Sequence, residues 1–193
     1  DLPFYFMGQV LETNFDYEAP SSLLPLGDSD GYQHLYLEGK GKPSSDSSQF
    51  NWLVEGKFYT LTAATKATDE LLFTRVGATD PEFNLRRDAA LMIRRKDVGD
   101  TLFVSVIEPH GFYSPVSELS VNPNSNISAV KVVQDSDAYT AVTITNVENQ
   151  SSIFIVANAD ASVSQRHQLT IGGKQYNWQG PYYLGEESMI GLR

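Results

Sequence analysis

A carboxylate and an imidazole stand two positions apart in the segment SVIEPHG, residues 105–111. Glu108 can accept hydrogen bonds, and His110 can donate, accept or carry a proton near neutral pH. The β-branched run Leu102–Ile107 before them is long enough for a strand and too short for a helix. Alternation places Leu102, Val104, Val106 and Glu108 on one face, so a carboxylate ends a row of otherwise apolar side chains. Pro109 lacks an N–H and is expected to stop the ladder, leaving His110 and Gly111 in a loop. A charged group at the end of a buried strand, with a loop behind it, is a place where sites are built. The alternative is that Glu108 pairs with an arginine at the sheet rim.

Other chemistries find less support. His34, His110 and His167 are far apart, and no close-spaced ligand pair joins them, so no metal site is expected. His34, in the strand-like YQHLYL, reads as a hydrogen-bonded structural histidine. The chain has no cysteine, which excludes disulfides, thiolate metal sites and a cysteine nucleophile. GDSDG at 27–31 matches the letters of a nucleophile elbow around Ser29. A Pro-rich loop precedes it and a strand follows, so it reads as a turn. Gly172-Gly173 lies between strands and reads as a hairpin turn, not a phosphate loop. Glu186 and Glu187 are adjacent and point to opposite faces of a strand, a poor arrangement for paired acids. Tyr176, Trp178, Tyr182 and Tyr183 either stack on sugar faces or fill a core, and packing explains them without a ligand. No set of residues assembles a base, an acid and an anion stabiliser.

The chain has 193 residues and a formal net charge of −10. Nucleic acid is not an expected partner, because phosphate binding needs a basic footprint. Six of the fourteen Lys and Arg lie together: Arg75, Arg86, Arg87, Arg94, Arg95 and Lys96. They form either a cationic patch for an anionic ligand such as a uronate sugar, or ion pairs with Asp80, Glu82, Asp88 and Asp97. No apolar stretch approaches the roughly 20 residues of a membrane helix. There is no signal-peptide pattern and no initiator Met, so a processed or truncated chain is expected.

The elements that must position these groups are strands. Leu2–Leu11, Tyr32–Leu37, Phe50–Val54, Lys57–Ala63 and Leu71–Val76 read as strands, with Glu55-Gly56 as a hairpin turn. Residues 12–30, 39–48, 77–87 and 112–126 read as connections, the last with one helical turn near Ser114–Glu118. Residues 89–111 read as the organising hairpin, with Ala90–Ile93 and Leu102–Ile107 joined by a turn at Asp97–Asp100 in which Gly99 takes positive φ. Ile127–Gln134, Ala138–Val147 and Ser152–Ala157 repeat at sandwich spacing. A hairpin around Gly172-Gly173 and a last strand from Tyr182 complete the chain. The expected fold is all-β: one antiparallel β-sandwich domain over residues 1–193, with little helix.

Four segments, DLPFYFMGQV (1–10), GYQHL (31–35), LLFTRVGATDPEFNLR (71–86) and SVIEPHG (105–111), together resemble the C-terminal β-sheet region of alginate lyases of polysaccharide lyase family 17, in the heparinase II/III-like group. The likeness is densest from Asp1 to Gly111. It implies an N-terminal helical toroid as partner and a bacterial, periplasmic or secreted exo-type enzyme. That enzyme cleaves 4-linked uronates of oligoalginate by β-elimination. A base removes the C5 proton, an acid protonates the leaving oxygen, and polar groups stabilise the enolate. The family's catalytic Asn-His and Tyr motifs, its second catalytic Tyr and its zinc ligands would all precede Asp1. No position here matches them, so no catalytic or metal residue is carried over, and the isolated chain is expected to be inactive. Glu108 and His110 alone are carried over, as substrate-binding residues of one cleft wall. A free-standing carbohydrate-binding module and a purely structural domain are the alternatives. A homodimer is expected if the surface that meets the toroid is left open.

Overall fold

A computed structural model describes residues 15–18, 24–27, 32–76 and 88–187. It is an all-β protein of several antiparallel sheets, as the strand pattern predicts. The only helix among the described residues is one 3-10 turn, Tyr32–His34.

The first sheet has β1 (Phe15–Glu18) and β2 (Leu24–Pro25) along one edge of β3 (Leu35–Pro43). Beyond β3 lie β6 (Glu70–Val76) and β7 (Asp88–Arg94). The second sheet runs β4 (Ser47–Val54), β5 (Lys57–Ala64), β8 (Ser105–Ser114) and β9 (Leu119–Val121). The third runs β10 (Ile127–Asp135), β11 (Tyr139–Asn146), β12 (Ser151–Ala157) and β15 (Tyr182–Glu187). β13 (Arg166–Ile171) and β14 (Lys174–Gln179) form a separate hairpin.

Two apolar cores result. Phe50 and Ala63 of the second sheet meet Leu71 and Phe73 of the first, with Leu61, Leu91 and Ile93 around them. Ala141, Ile153 and Ile155 of the third sheet meet Tyr176 of the β13–β14 hairpin, with Leu169, Ile171, Trp178 and Tyr183 around them. A seam joins the two. The buried Ser47 hydroxyl of β4 accepts the Val130 N–H of β10 at 3.1 Å. The Gln49 amide donates to the Ile127 carbonyl.

The two predicted short hairpins are present. Glu55 and Gly56 have φ of 48° and 76°, and Gly172 and Gly173 have 57° and 84°. Two successive positive φ values give the twist that a two-residue hairpin needs. The predicted 89–111 hairpin is absent. β7 pairs with β6, with Leu71 opposite Ile93, and β8 pairs with β5, with Leu61 opposite Ile107. Residues 95–104 therefore arch from the first sheet to the second, and Asp97, not Gly99, takes the positive φ of 55°. That connection exceeds the usual two to five residues of a hairpin loop. β3 also extends through Gly39–Pro43, where a polar connection was expected. Gly39 is buried there, beside a register shift against β6. Residues 112–114 and 119–121 are strand, with a turn between them where a helical turn was expected. The expected strand at Leu2–Leu11, the Gly77–Arg87 loop and Ser29 lie outside the described residues.

Candidate functional site

β8 runs through Pro109 to Ser114 instead of stopping. Proline is tolerated because β9 pairs only residues 112–114, leaving that edge open at Pro109. Continued alternation puts Val106, Glu108 and His110 on one half-buried face while Ile107 and Pro109 are exposed. The strand thus brings both predicted site residues to the same place. On the neighbouring strand Thr60 lies opposite Glu108, and Phe58 opposite His110.

Each side chain is tied to residues 122–127. The Glu108 carboxylate accepts from the Ser125 hydroxyl, from the Asn126 N–H at 3.0 Å and from the Ile127 N–H at 3.4 Å. His110 Nδ1 donates to the Asn122 carbonyl at 2.9 Å. Its Nε2 lies 2.8 Å from the Thr60 hydroxyl, which also reaches Asn51 Oδ1. The ring stacks on Phe58 with 6.1 Å between centroids and 10° between planes. Both ring nitrogens are engaged within the chain, so a substrate group reaches either nitrogen only by displacing Asn122 or Thr60. Glu108 keeps acceptor capacity, because a carboxylate offers about four lone-pair sites and Oε1 carries only the 3.3 Å contact from Asn126.

Gly111 makes this close fit possible. Its φ is +30°, and a Cβ there would stand 2.0 Å from the Asn122 carbonyl oxygen. No side chain fits between the strand and the loop. Glu108, His110 and the 122–126 loop line an open cleft of about 720 Å³. Asn126 continues into a second cleft of about 550 Å³, lined by Asn146, Asn149, Gln150, Glu148 and Glu186 among others. Asn, Gln and Ser supply four of the nine residues lining the first cleft and six of the ten lining the second, and neither includes a Lys or Arg. That suits sugar hydroxyls and gives no charge attraction to an acid. Sequence reasoning missed Asn51, Phe58, Thr60 and Ser125, because strand register brings them in from distant parts of the chain.

The basic run forms ion pairs, with partners other than those expected. Arg75 meets Glu38 at 3.0 Å, and Glu70 takes Arg94 at 2.7 Å and Lys96 at 2.9 Å. Arg95 is 4% exposed and pairs with the fully buried Asp69 through two bonds of 2.7 Å. Burial alone would raise the Asp69 carboxyl, but the Arg95 hydrogen bonds, the Lys66 N–H and nearby positive charge outweigh it and hold it below its ordinary value. Glu70 is lowered in the same way, by Lys96 and Arg94 against a smaller burial. Asp69 raises Arg95 in turn. Arg86, Arg87, Asp80 and Glu82 lie outside the described residues.

The C-terminal aromatics are mainly core. Tyr176 is buried and meets Tyr183 edge-on, and Trp178 stacks on His167 at 5.0 Å; Tyr182 is exposed. His167 is buried, with Nδ1 3.3 Å from the Tyr139 hydroxyl. His34 sits exposed in the 3-10 turn, beside Gln33. Among the described residues no three His, Cys, Asp or Glu side chains are placed to share a metal ion.

No protein-family model matches the chain. It is 36% identical over 183 residues to an alginate lyase of Stenotrophomonas maltophilia, covering 94% of this chain and 24% of that protein. It is 29% identical over 184 residues to an exo-oligoalginate lyase of Saccharophagus degradans, covering 93% of this chain and 25% of that protein. The chain therefore spans about a quarter of the length of the curated relatives that it matches along nearly its whole extent.

Proposed function

We propose that this chain is the C-terminal β-rich portion of an exo-type oligoalginate lyase of polysaccharide lyase family 17. It supports a catalytic toroid of the same polypeptide and supplies one wall of the substrate cleft. The observation that carries the reading is the match, along nearly the whole chain, to a quarter of two proteins named for alginate cleavage. The amide-rich cleft beside Glu108 agrees with it, since alginate units present hydroxyls along their length. In this reading the proton-transfer groups and the zinc site lie on residues outside this chain, and the enzyme works in the periplasm or is secreted. Glu108 holds the 122–127 loop and offers Oε1 to a sugar hydroxyl. His110 fixes the same loop from its other end.

The test uses oligoalginate. The 193-residue chain alone should produce no unsaturated uronate, followed by its ultraviolet absorbance. In a lyase polypeptide containing these residues, Glu108→Ala should raise KM more than it lowers kcat. Turnover by the isolated chain would defeat the division of labour, and unchanged kinetics in Glu108→Ala would defeat the cleft wall. One observation favours a second, purely structural role: every donor to Glu108 comes from a single loop of its own chain.

A further inference from the structure

The clefts beside Glu108 give an acidic sugar nothing to hold its charge. A third cavity does. It has a volume of about 230 Å³ and lies at the seam between the two cores, with Lys66, Arg95, Lys131 and Asp46 among its lining residues. Leu102 and Val132 add apolar surface. The volume falls below the roughly 300 Å³ at which drug-sized pockets begin, so it suits a small group and not a polymer segment.

The charges in this cavity are not equivalent. Arg95 is spent: Nε and Nη2 lie on Asp69, and Nη1 donates to Thr101 and to the Leu102 carbonyl. It forms a fixed wall whose charge is already matched. Lys66 is exposed and has no ion-pair partner among the described residues. Lys131 faces Asp46 at 3.7 Å, with the two side chains 54% and 79% exposed. A pair that long and that wet contributes little, so an arriving carboxylate can displace Asp46. Two ammonium groups and an apolar wall fit a sugar ring that carries one carboxylate.

We propose that the seam cavity lined by Lys66 and Lys131 binds the carboxylate of a uronate sugar, as an anchoring site separate from the cleft at Glu108. The identity of the sugar rests on the lyase reading above, whereas the anion site rests on the two lysines. Neither lysine belongs to the Arg75–Lys96 run. The fold brings them together from β10 and from the turn after β5.

The experiment is an amide-resonance titration of the ¹⁵N-labelled 193-residue chain with sodium glucuronate, with glucose and sodium acetate as the other arms at matched ionic strength. Glucuronate should shift the amides around Lys66, Leu102 and Lys131 along a saturable curve. Glucose should not, and acetate should bind more weakly. Lys66→Gln and Lys131→Gln should each weaken binding roughly tenfold, the scale of one close charge at a protein surface. Asp46→Asn removes the competing carboxylate and should tighten binding about threefold, a gain that misfolding cannot imitate. Absence of a saturable shift at these amides, equal affinity for acetate, or no gain in Asp46→Asn would overturn the proposal. An alginate trimer separates the two readings. If it binds the wild type and both lysine variants equally, the cavity is rejected and the lyase reading stands. If it binds neither the chain nor a lyase containing the chain, the lyase reading falls.

Discussion

The two cores of this protein are held by different means. The first and second sheets close over Phe50, Ala63, Leu71 and Phe73, and beside that core lies a fully desolvated carboxylate with its guanidinium. The third sheet and the β13–β14 hairpin close over Ile153, Ile155 and a group of rings in contact, Trp178 stacked on His167 and Tyr176 edge-on to Tyr183. The difference lies in what each can tolerate. An apolar core weakens in proportion to the volume removed. A buried ion pair fails abruptly when one partner is lost, because the other is left charged without water. The first unit is therefore sensitive to charge and pH, and the second to shape.

The sharpest way to break the contrast is Arg95→Ala. It strands Asp69 and should cost about 4 kcal/mol in denaturant unfolding. The loss should be largest for probes in the first unit, such as Trp52 fluorescence, and smaller for Trp178. Acid should act on the same pair. Asp69 and Glu70 are both held below their ordinary values. Their stabilisation is thus present at neutral pH and is lost as the pH falls below about 4, through their depressed folded values. An acid titration that unfolds the second unit first would contradict this.

Ile153→Ala comes next. Ile153 is fully buried, and its truncation should cost about 3 kcal/mol, with no change in the acid midpoint. Ser47→Ala tests the seam. It leaves the buried Val130 N–H without its acceptor and should cost about 2 kcal/mol. It should also pull one cooperative transition towards two, seen as separate midpoints for Trp52 and Trp178. The smallest effect is expected from Glu108→Gln, about 1 kcal/mol. Its signature is local: faster amide exchange at Asn126 and Ile127, with the global midpoint nearly unchanged.

Much of this contrast was legible in the residues. Glu55-Gly56 and Gly172-Gly173 announce their hairpins because only a few residue types enter positive φ cheaply. Alternation from Leu102 places Glu108 at the end of one strand face, and the structure keeps it there. His110, expected in a loop after Pro109, lies on the same strand because β8 runs on to Ser114. Tyr176, Trp178, Tyr182 and Tyr183 read more simply as packing than as a sugar platform; three of them pack, and Tyr182 is exposed. What stayed hidden is non-local. Ala90–Ile93 and Leu102–Ile107 look like partners because they are neighbours along the chain, and nothing local says that each pairs elsewhere. Gly39 and Gly41 carry loop chemistry, yet they sit within β3, where the backbone of β6 lies alongside. The ties from Thr60, Asn51 and Ser125 depend on strand register, which a single sequence does not display.

Pro109 has one more consequence. Over residues 105–111 no described strand covers the outer border of β8. A bare border is a template on which a second molecule can zip a strand, the first step toward fibres. An imide in the middle of that border cannot donate, so a foreign strand meets a gap in its ladder and the growing contact halts. The ring that the strand tolerates at its margin thereby helps keep copies of the molecule apart.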